Sequence, residues 1–233
     1  MQWRNSPQAG LASRANAEVK PIVYVVDDDI SVREALEALI DEAGWSPVVF
    51  SSAQDFLSHP RPNSPSCLVL DVSLPDIDGL ELQQRLLQEG ADMPVIFITG
   101  YGDVPTTVRA MKAGAIEFLT KPFGDEALLG TIGEALVRSS ATLSQRSQLE
   151  ALQERHSSLS TREREVMSLI VTGLLNKQVG GELGISEITV KAHRGRVMQK
   201  MGATSFADLV NMAAQLGIIS RNRYLGIVDT FVS

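Results

Sequence analysis

Asp27, Asp28, Asp71, Thr99 and Lys121 have one thing in common. Each stands one or two residues beyond the end of a short apolar run, in the segments IVYVVDD, CLVLD, VIFIT and IEFLTK. Carboxylates brought close together repel one another and take up protons unless a cation compensates them, and oxygen ligands of this hardness suit Mg2+. A hydroxyl and an ammonium beside such a site can offset charge on the oxygens of a transferring phosphoryl group, and a carboxylate can be the nucleophile that accepts it. If these five side chains meet, the chemistry open to them is phosphoryl transfer onto an aspartate, with Asp71 the acceptor.

Whether they meet depends on the elements that carry them. Apolar runs fall at 22–26, 48–50, 67–70, 95–98 and 116–119, and helix-length amphipathic segments separate them, beginning near Ser31, Ser52, Gly79, Val104 and Asp125. That alternation predicts a doubly wound parallel sheet of five strands with helices on both faces. Ligands of such sheets sit outside the carboxyl ends of the strands, where strand order reverses, so all five groups are expected on one edge. Competing readings of the same stretches fail on spacing. Asp29 reads as an acid of the loop or of the following helix's first turn, not as a ligand. Placing Gly79 at the sixth position of a calcium loop puts Leu74 first and Arg85 twelfth, where ligands are needed. Gly100-Tyr101-Gly102 is half of a dinucleotide fingerprint, but Pro105 stands where its third glycine belongs.

VVDDD, LVLDVSLPDIDG, FITGYGD and AGAIEFLTKPF, in this order and spacing, resemble the receiver domain of bacterial response regulators over about residues 20–140. The resemblance implies a flavodoxin-like fold with Asp71 as phosphoacceptor. It further implies Mg2+ held by Asp27, Asp28, Asp71 and the backbone carbonyl of Ser73, and Thr99 and Lys121 in contact with the phosphoryl group. Phe118 is then the aromatic that rotates on activation, a cis bond precedes Pro122, and Ser73 and Tyr101 occupy positions that tune phosphoryl lifetime.

Bulk properties fit an ordinary globular protein. The chain has 233 residues, 44% hydrophobic and 21% charged, and a net charge of −7 that is unevenly spread. Residues 20–125 carry 7 basic and 17 acidic groups, a balance of −10, whereas residues 158–223 carry 9 and 5, a balance of +4. The basic half suits a polyanion such as nucleic acid. No apolar run reaches the ~20 residues of a membrane span, and residues 1–20 lack a secretory h-region, so they are expected to be a flexible leader in a cytoplasmic protein. Cys67, the single cysteine, lies inside an apolar run and reads as a small buried hydrophobe. Residues 126–158 contain no proline, and Leu129, Leu136 and Leu143 recur every seven, which predicts a helical linker leading toward a coiled-coil-like segment. Gly130, Gly133 and Ser139-Ser140 predict a soft point in it; the alternative is an amphipathic helix packed on its own domain.

From Leu159 the pattern changes to short helices. Ser160 or Thr161 caps a helix with an apolar face of Val166, Leu169 and Ile170; a second covers about 176–183; Gly184-Ile185-Ser186 makes a tight turn; and a third runs through EITVKAHRGRVMQKM. Two helices joined by a three-residue glycine-containing turn describe a helix-turn-helix. At about 100° per residue the third helix buries Val190, Val197 and Met201 and turns Lys191, Ala192, Gly195 and Gln199 outward, with Thr189 and Arg196 to one side. Small residues at the centre of that face would let the helix approach a groove floor while Lys191 and Arg196 reach bases or phosphates. Arg194 lies at the rim of the apolar stripe, where a snorkelling side chain could touch phosphate, and His193 reads as a packed or phosphate-bonded imidazole.

This segment resembles the LuxR-type DNA-binding domain, and with the receiver ahead of it the chain resembles a FixJ-type response regulator. Expected DNA contacts are Thr189, Lys191, Ala192, Arg194, Gly195 and Arg196, with Lys177 from the preceding helix. Gly180-Gly181 depart from the family pattern and would loosen that helix, and Arg196 replaces a frequent Asn. The resulting layout is a leader (1–20), a receiver (21–138), a helical linker (139–157), a small all-α helix-turn-helix domain (158–218) and a tail (219–233). By resemblance the partners are a sensor histidine kinase, double-stranded promoter DNA, a second copy of the chain through a face near residues 104–119, and RNA polymerase. The chain is expected to be a transcription regulator and not an enzyme. A Mg2+-dependent phosphohydrolase using Asp27-Asp28-Asp29 would need a further acidic pair late in the fold, and only Asp125-Glu126 is at hand.

Overall fold

A computed structural model describes residues 20–100 and 103–219. The leader expected at 1–20 and the tail expected at 219–233 lie almost wholly outside the described residues, as does Tyr101. The chain divides into two compact units, 1–143 and 144–233.

In the first unit, β1 (Ile22–Val26), β2 (Ser46–Phe50), β3 (Ser66–Asp71), β4 (Val95–Thr99) and β5 (Glu117–Thr120) form one parallel sheet in the order β2-β1-β3-β4-β5. Between them run α1 (Ile30–Glu42), α2 (Ala53–Ser58), α3 (Gly79–Gln88) and α4 (Val104–Lys112), and α5 (Asp125–Ser157) follows. Alternate strand residues face opposite sides, which is why the runs read as continuously apolar. Val23, Val25, Val69, Ile96 and Ile98 pack with Leu36 and Ile40 of α1 and Leu128 and Ile132 of α5. Tyr24, Val26, Leu68, Leu70 and Phe97 pack with Phe56 of α2, Leu82 and Leu86 of α3 and Ala110 of α4. Cys67 is fully buried in the first of these layers, and burial pushes its thiol up to about 12, so it stays protonated and inert.

Acids in the loops serve the helices. Asp29 caps α1 through Ser31 N–H, Asp78 caps α3 through Leu80 N–H, and Asp103 caps α4 through Thr106 N–H. Asp76 accepts from the first amides of α2, Ala53 and Gln54, at 3.4 and 2.9 Å. Asp76 and Asp78, the acids just before Gly79 that would belong to a calcium loop, are therefore committed to helix starts.

Two expectations need correction. β5 begins and ends one residue later than the apolar run 116–119 suggests, because Ile96 pairs with Glu117 and Thr99 with Thr120. The helix is unbroken where a soft point was expected: α5 is one helix of 33 residues. Its packed stripe in this unit is Leu128, Ile132, Ala135 and Leu136, continued by Ser139, and Leu129 and Leu143 of the seven-residue repeat are only half-buried. Ser139 Oγ accepts the N–H of Ser66 at the start of β3, at 3.0 Å, so the serine pair anchors this part of the helix. The packed-helix alternative describes this portion, and the coiled-coil one does not.

In the second unit, the end of α5 is followed by α6 (Thr161–Ile170), α7 (Asn176–Leu183), α8 (Glu187–Met201) and α9 (Phe206–Gln215). Leu152, Val166, Ile170, Val179, Val190, Val197, Met201, Leu209 and Ala213 share its core. α9 has no counterpart in the expectation, although Ser205 at its N-cap and Phe206, Leu209, Val210 and Ala213 at helical spacing signal it. Gly180 does not loosen α7. A Cβ there would lie 2.7 Å from the carbonyl oxygen of Ile185, so the missing side chain is what lets the turn fold against the helix.

Ser160 and Glu163 form a reciprocal capping box at α6, and the Glu163 carboxylate also accepts from Lys200 Nζ of α8 at 2.6 Å. The Lys200 ammonium and then the Ser160 amide hold the Glu163 carboxyl down to about 2. Its folded value lies below its unfolded one, so its stabilisation is full above the ordinary glutamate range and is lost as pH falls toward 2. Glu163→Gln is expected to destabilise this unit by about 1–2 kcal/mol at neutral pH, because a cap bond and a charge-assisted bond weaken together. Urea unfolding from pH 7 down to 3 checks it: the deficit should shrink as the parent's own carboxylate protonates.

Candidate functional site

β1 and β3 are neighbours, and strand order reverses between them, so the loops after them splay apart and leave a crevice at their carboxyl ends. Asp27 follows the last residue of β1, and Asp71 is the last residue of β3, paired with Ile98 of β4. One ligand oxygen from each of Asp27, Asp28 and Asp71 lies within 4.8 Å of the other two. Asp27 is fully buried, Asp71 is buried and Asp28 is exposed at the mouth.

Lys121 arrives from the end of β5, ninety-four positions beyond Asp27 in the chain, and its Nζ lies 2.6 Å from Oδ2 of Asp27 and 2.6 Å from Oδ2 of Asp71. The peptide bond between Lys121 and Pro122 is cis, as expected. The remaining oxygens are held by backbone: Asp29 N–H donates to Asp27 Oδ1 and Ser73 N–H to Asp71 Oδ1, each at 2.9 Å. Arg33 Nη1 braces the carbonyl of Asp27 at 2.6 Å, a contact that no sequence signal identified. Thr99 is fully buried at the end of β4, in register with Thr120 of β5. Gly79 closes the loop after β3: its N–H donates to Val72 O, and a Cβ there would collide with the carbonyl oxygen of Asp71.

The electrostatics follow from burial opposed by pairing. Desolvation raises the Asp27 carboxyl above its ordinary value although the Lys121 ammonium draws it down. For Lys121 desolvation is the largest single influence and pulls downward, but its bonds to the two carboxylates together prevail and hold the ammonium above the ordinary lysine value. Two buried carboxylates are thus offset by one cation, and a third carboxylate stands at the rim. The donor set is of the kind Mg2+ takes: oxygens about 2.1 Å from an octahedral ion lie roughly 3–4 Å apart, and these three lie within 4.8 Å of one another. Ser73 is exposed beside Asp71, where its carbonyl was expected to serve as a further ligand. Phe118 on β5 is half-buried with its ring 6.1 Å from that of Phe97.

A second candidate surface lies on the other unit. Gly184, with φ +66°, ends α7 in the left-handed region, where the absent Cβ removes the strain, and Ser186 caps α8. Val190, Val197 and Met201 are fully buried, as the 100° wheel predicts. Thr189, Lys191, Ala192, Gly195 and Arg196 are exposed, and Lys177 is exposed on α7. Arg194 differs from them. It is half-buried, its guanidinium lies 4.7 Å above the Phe206 ring and it donates to Asn176 at 3.4 Å, so it ties α7, α8 and α9 together at the rim. His193 is half-buried with its Nδ1 enclosed, which is the packed-imidazole arrangement.

Comparison with known proteins covers both units. Residues 23–133 match the family described as response regulator receiver domain, and residues 157–213 match bacterial regulatory proteins of the luxR family. Nodulation protein W of Bradyrhizobium diazoefficiens is 47% identical over 93% of this chain and 93% of its own length. The transcriptional regulatory protein FixJ of the same organism is 39% identical over 85% of this chain and 97% of its own. Among solved structures, the response regulator StyR superposes with a TM-score of 0.78 at 48% identity, covering 84% of this chain and all of that one.

Proposed function

From the premise that this chain belongs to the two-component response regulators that join a receiver to a LuxR-type DNA-binding domain, we propose that it accepts a phosphoryl group on Asp71 from a histidine kinase and in that state binds promoter DNA as a dimer. The observation that carries this reading is the Lys121 ammonium bridging Asp27 and Asp71 at 2.6 Å beside Asp28, in a chain whose other unit exposes a basic helix.

Asp71 is the nucleophile: a carboxylate oxygen attacks the phosphorus of a phosphohistidine, the bond to the imidazole breaks, and an acyl phosphate remains. Asp27, Asp28, Asp71 and the Ser73 carbonyl are the groups that would hold Mg2+, which when bound offsets negative charge on the phosphoryl oxygens. Lys121 swings between two roles, neutralising the carboxylates and then pairing with a phosphoryl oxygen. Thr99 donates its hydroxyl to another of these oxygens, and Phe118, on the strand that ends just before Lys121, follows the change at Thr99. α4 exposes Val104, Val108 and Met111, an apolar patch suited to a second copy of the chain. In the DNA-binding unit Lys191, Ala192, Gly195 and Arg196 face the major groove, and Thr189, Lys177 and Arg194 lie near phosphates. The regulator works in the cytoplasm and acts on RNA polymerase; among the described residues no helix is long and apolar enough to cross a membrane.

A selection from random duplexes with the full chain, with and without acetyl phosphate and Mg2+, tests the whole reading. The expected outcome is a two-fold symmetric site bound at least ~10-fold more tightly with the phosphodonor, the size of an ordinary coupling between sites. Sequence enrichment that is the same in both arms would remove the control by phosphorylation, and no enrichment in either would remove the DNA-reading role.

A further inference from the structure

We propose that Ile188 is a base-specificity residue of the DNA-binding unit, its side chain packing against the C5 methyl group of a thymine in the major groove. The inference rests on the groove-reading role of α8 proposed above. Ile188 is 82% exposed, the most exposed large hydrophobic side chain among the described residues. It takes no part in the core of its own unit, whereas its helix neighbours Val190, Val197 and Met201 are fully buried there. Its position gives the exposure a direction. Counting ~100° per residue, Ile188 lies about 160° from Val190, on the outward stripe with Ala192, Gly195 and Gln199, which follow it at the fourth, seventh and eleventh positions.

That stripe has a shape suited to a groove floor. Ile188 sits in the first turn of α8, and residues of that turn are the ones a recognition helix carries closest to base edges. Ala192 and Gly195 behind it add little bulk, so the isoleucine is the projecting group. Lys191 and Arg196 flank the stripe at about 100° and −120°, and Glu187, the helix's one acid, lies about 60° from the buried centre and so off the stripe. An apolar projection between cations matches one feature of a polyanionic duplex: the thymine methyl, the apolar group that separates thymine from cytosine in the major groove. A second protein would bury the isoleucine but leave those flanking cations without phosphate partners.

The test uses the full chain with acetyl phosphate and Mg2+ on the site that the parent selects. Each thymine is replaced singly by deoxyuridine, which lacks only the methyl group, and the parent is compared with Ile188→Ala, whose exposed position makes the substitution harmless to folding. At one position per half-site, methyl removal should weaken the parent about 4-fold, the equivalent of ~0.8 kcal/mol for one buried methyl-sized group, and roughly 15-fold when made in both half-sites. Ile188→Ala should be indifferent at that position and respond like the parent at every other. A parent insensitive to every methyl, or a variant whose response matches the parent's at all positions, overturns the assignment, as does a uniform loss of affinity for all sequences. A parent that selects no sequence would instead bring down the groove-reading role on which the assignment stands.

Discussion

Asp71→Asn takes no phosphoryl group from acetyl phosphate and Mg2+, and its affinity for DNA is the same with the phosphodonor as without it. The amide keeps the shape of the side chain and can still accept from Ser73 N–H, so the loop after β3 stays in place. What is lost is the anionic nucleophile, and the Asp27 carboxylate cannot replace it: it is fully buried and its oxygens are engaged by Lys121 and Asp29 N–H. Loss of labelling should therefore be complete within detection, while the unphosphorylated affinity for DNA, set by the other unit, stays at the parent's level. Gel-based phosphoprotein labelling and a fluorescence-anisotropy titration, each with and without donor, read the two parts separately. Labelling that persists in the variant would move the acceptor elsewhere.

Lys121→Met should cost the receiver about 2–3 kcal/mol at neutral pH. Removing one partner of a buried ion pair costs ~3–5 kcal/mol, because the remaining charge has no compensation, and the 22% exposure of the Lys121 side chain argues for the lower end. The residue left behind is Asp27, 0% exposed and already raised by burial against the pull of this ammonium. Without Lys121 its folded-state value rises further above the unfolded one. A carboxyl shifted that way favours the folded state below its unfolded value and disfavours it as pH climbs through the folded value. The deficit is accordingly largest at neutral pH and shrinks on acidification toward about pH 4. Mg2+ should restore part of it by supplying the missing positive charge, and should stabilise the variant more than the parent. Urea unfolding followed at Trp45, which packs against the α1 and α5 layer, gives all three comparisons. A deficit that ignores both pH and Mg2+ would mean that Lys121 matters for packing alone.

Much of the receiver can be read before any coordinates because its strands are buried on both faces. Such strands appear as uninterrupted apolar runs, and the first polar residue after each run falls where the sheet opens to a ligand. Asp27, Asp71 and Thr99 are found this way. Finer register is not visible. Nothing in 116–119 announces that Glu117, exposed, belongs to β5 while Ile116 stands outside it, since the boundary is set by pairing with β4. The linker misleads for a related reason. Leu129, Leu136 and Leu143 offer a seven-residue period, but the sheet selects the stripe through Leu128, Ile132 and Leu136, and Ser139 joins it through a bond to a strand seventy-three positions away. Shorter-range side-chain contacts also go unannounced: Arg33 meets the Asp27 carbonyl six positions back, and Arg194 meets Phe206 twelve positions on. Ile188 is the opposite case. The same helical wheel that exposes Lys191 and Gly195 exposes it too, but attention to polar and small residues passes over an apolar one.

Intact mass spectrometry of the full chain after incubation with acetyl phosphate, with Mg2+ and with excess chelator, tests the central claim most directly. The account predicts one phosphoryl group per chain, dependent on the metal and mapped to Asp71. An unchanged mass with Mg2+, or a modification at another residue, would contradict it.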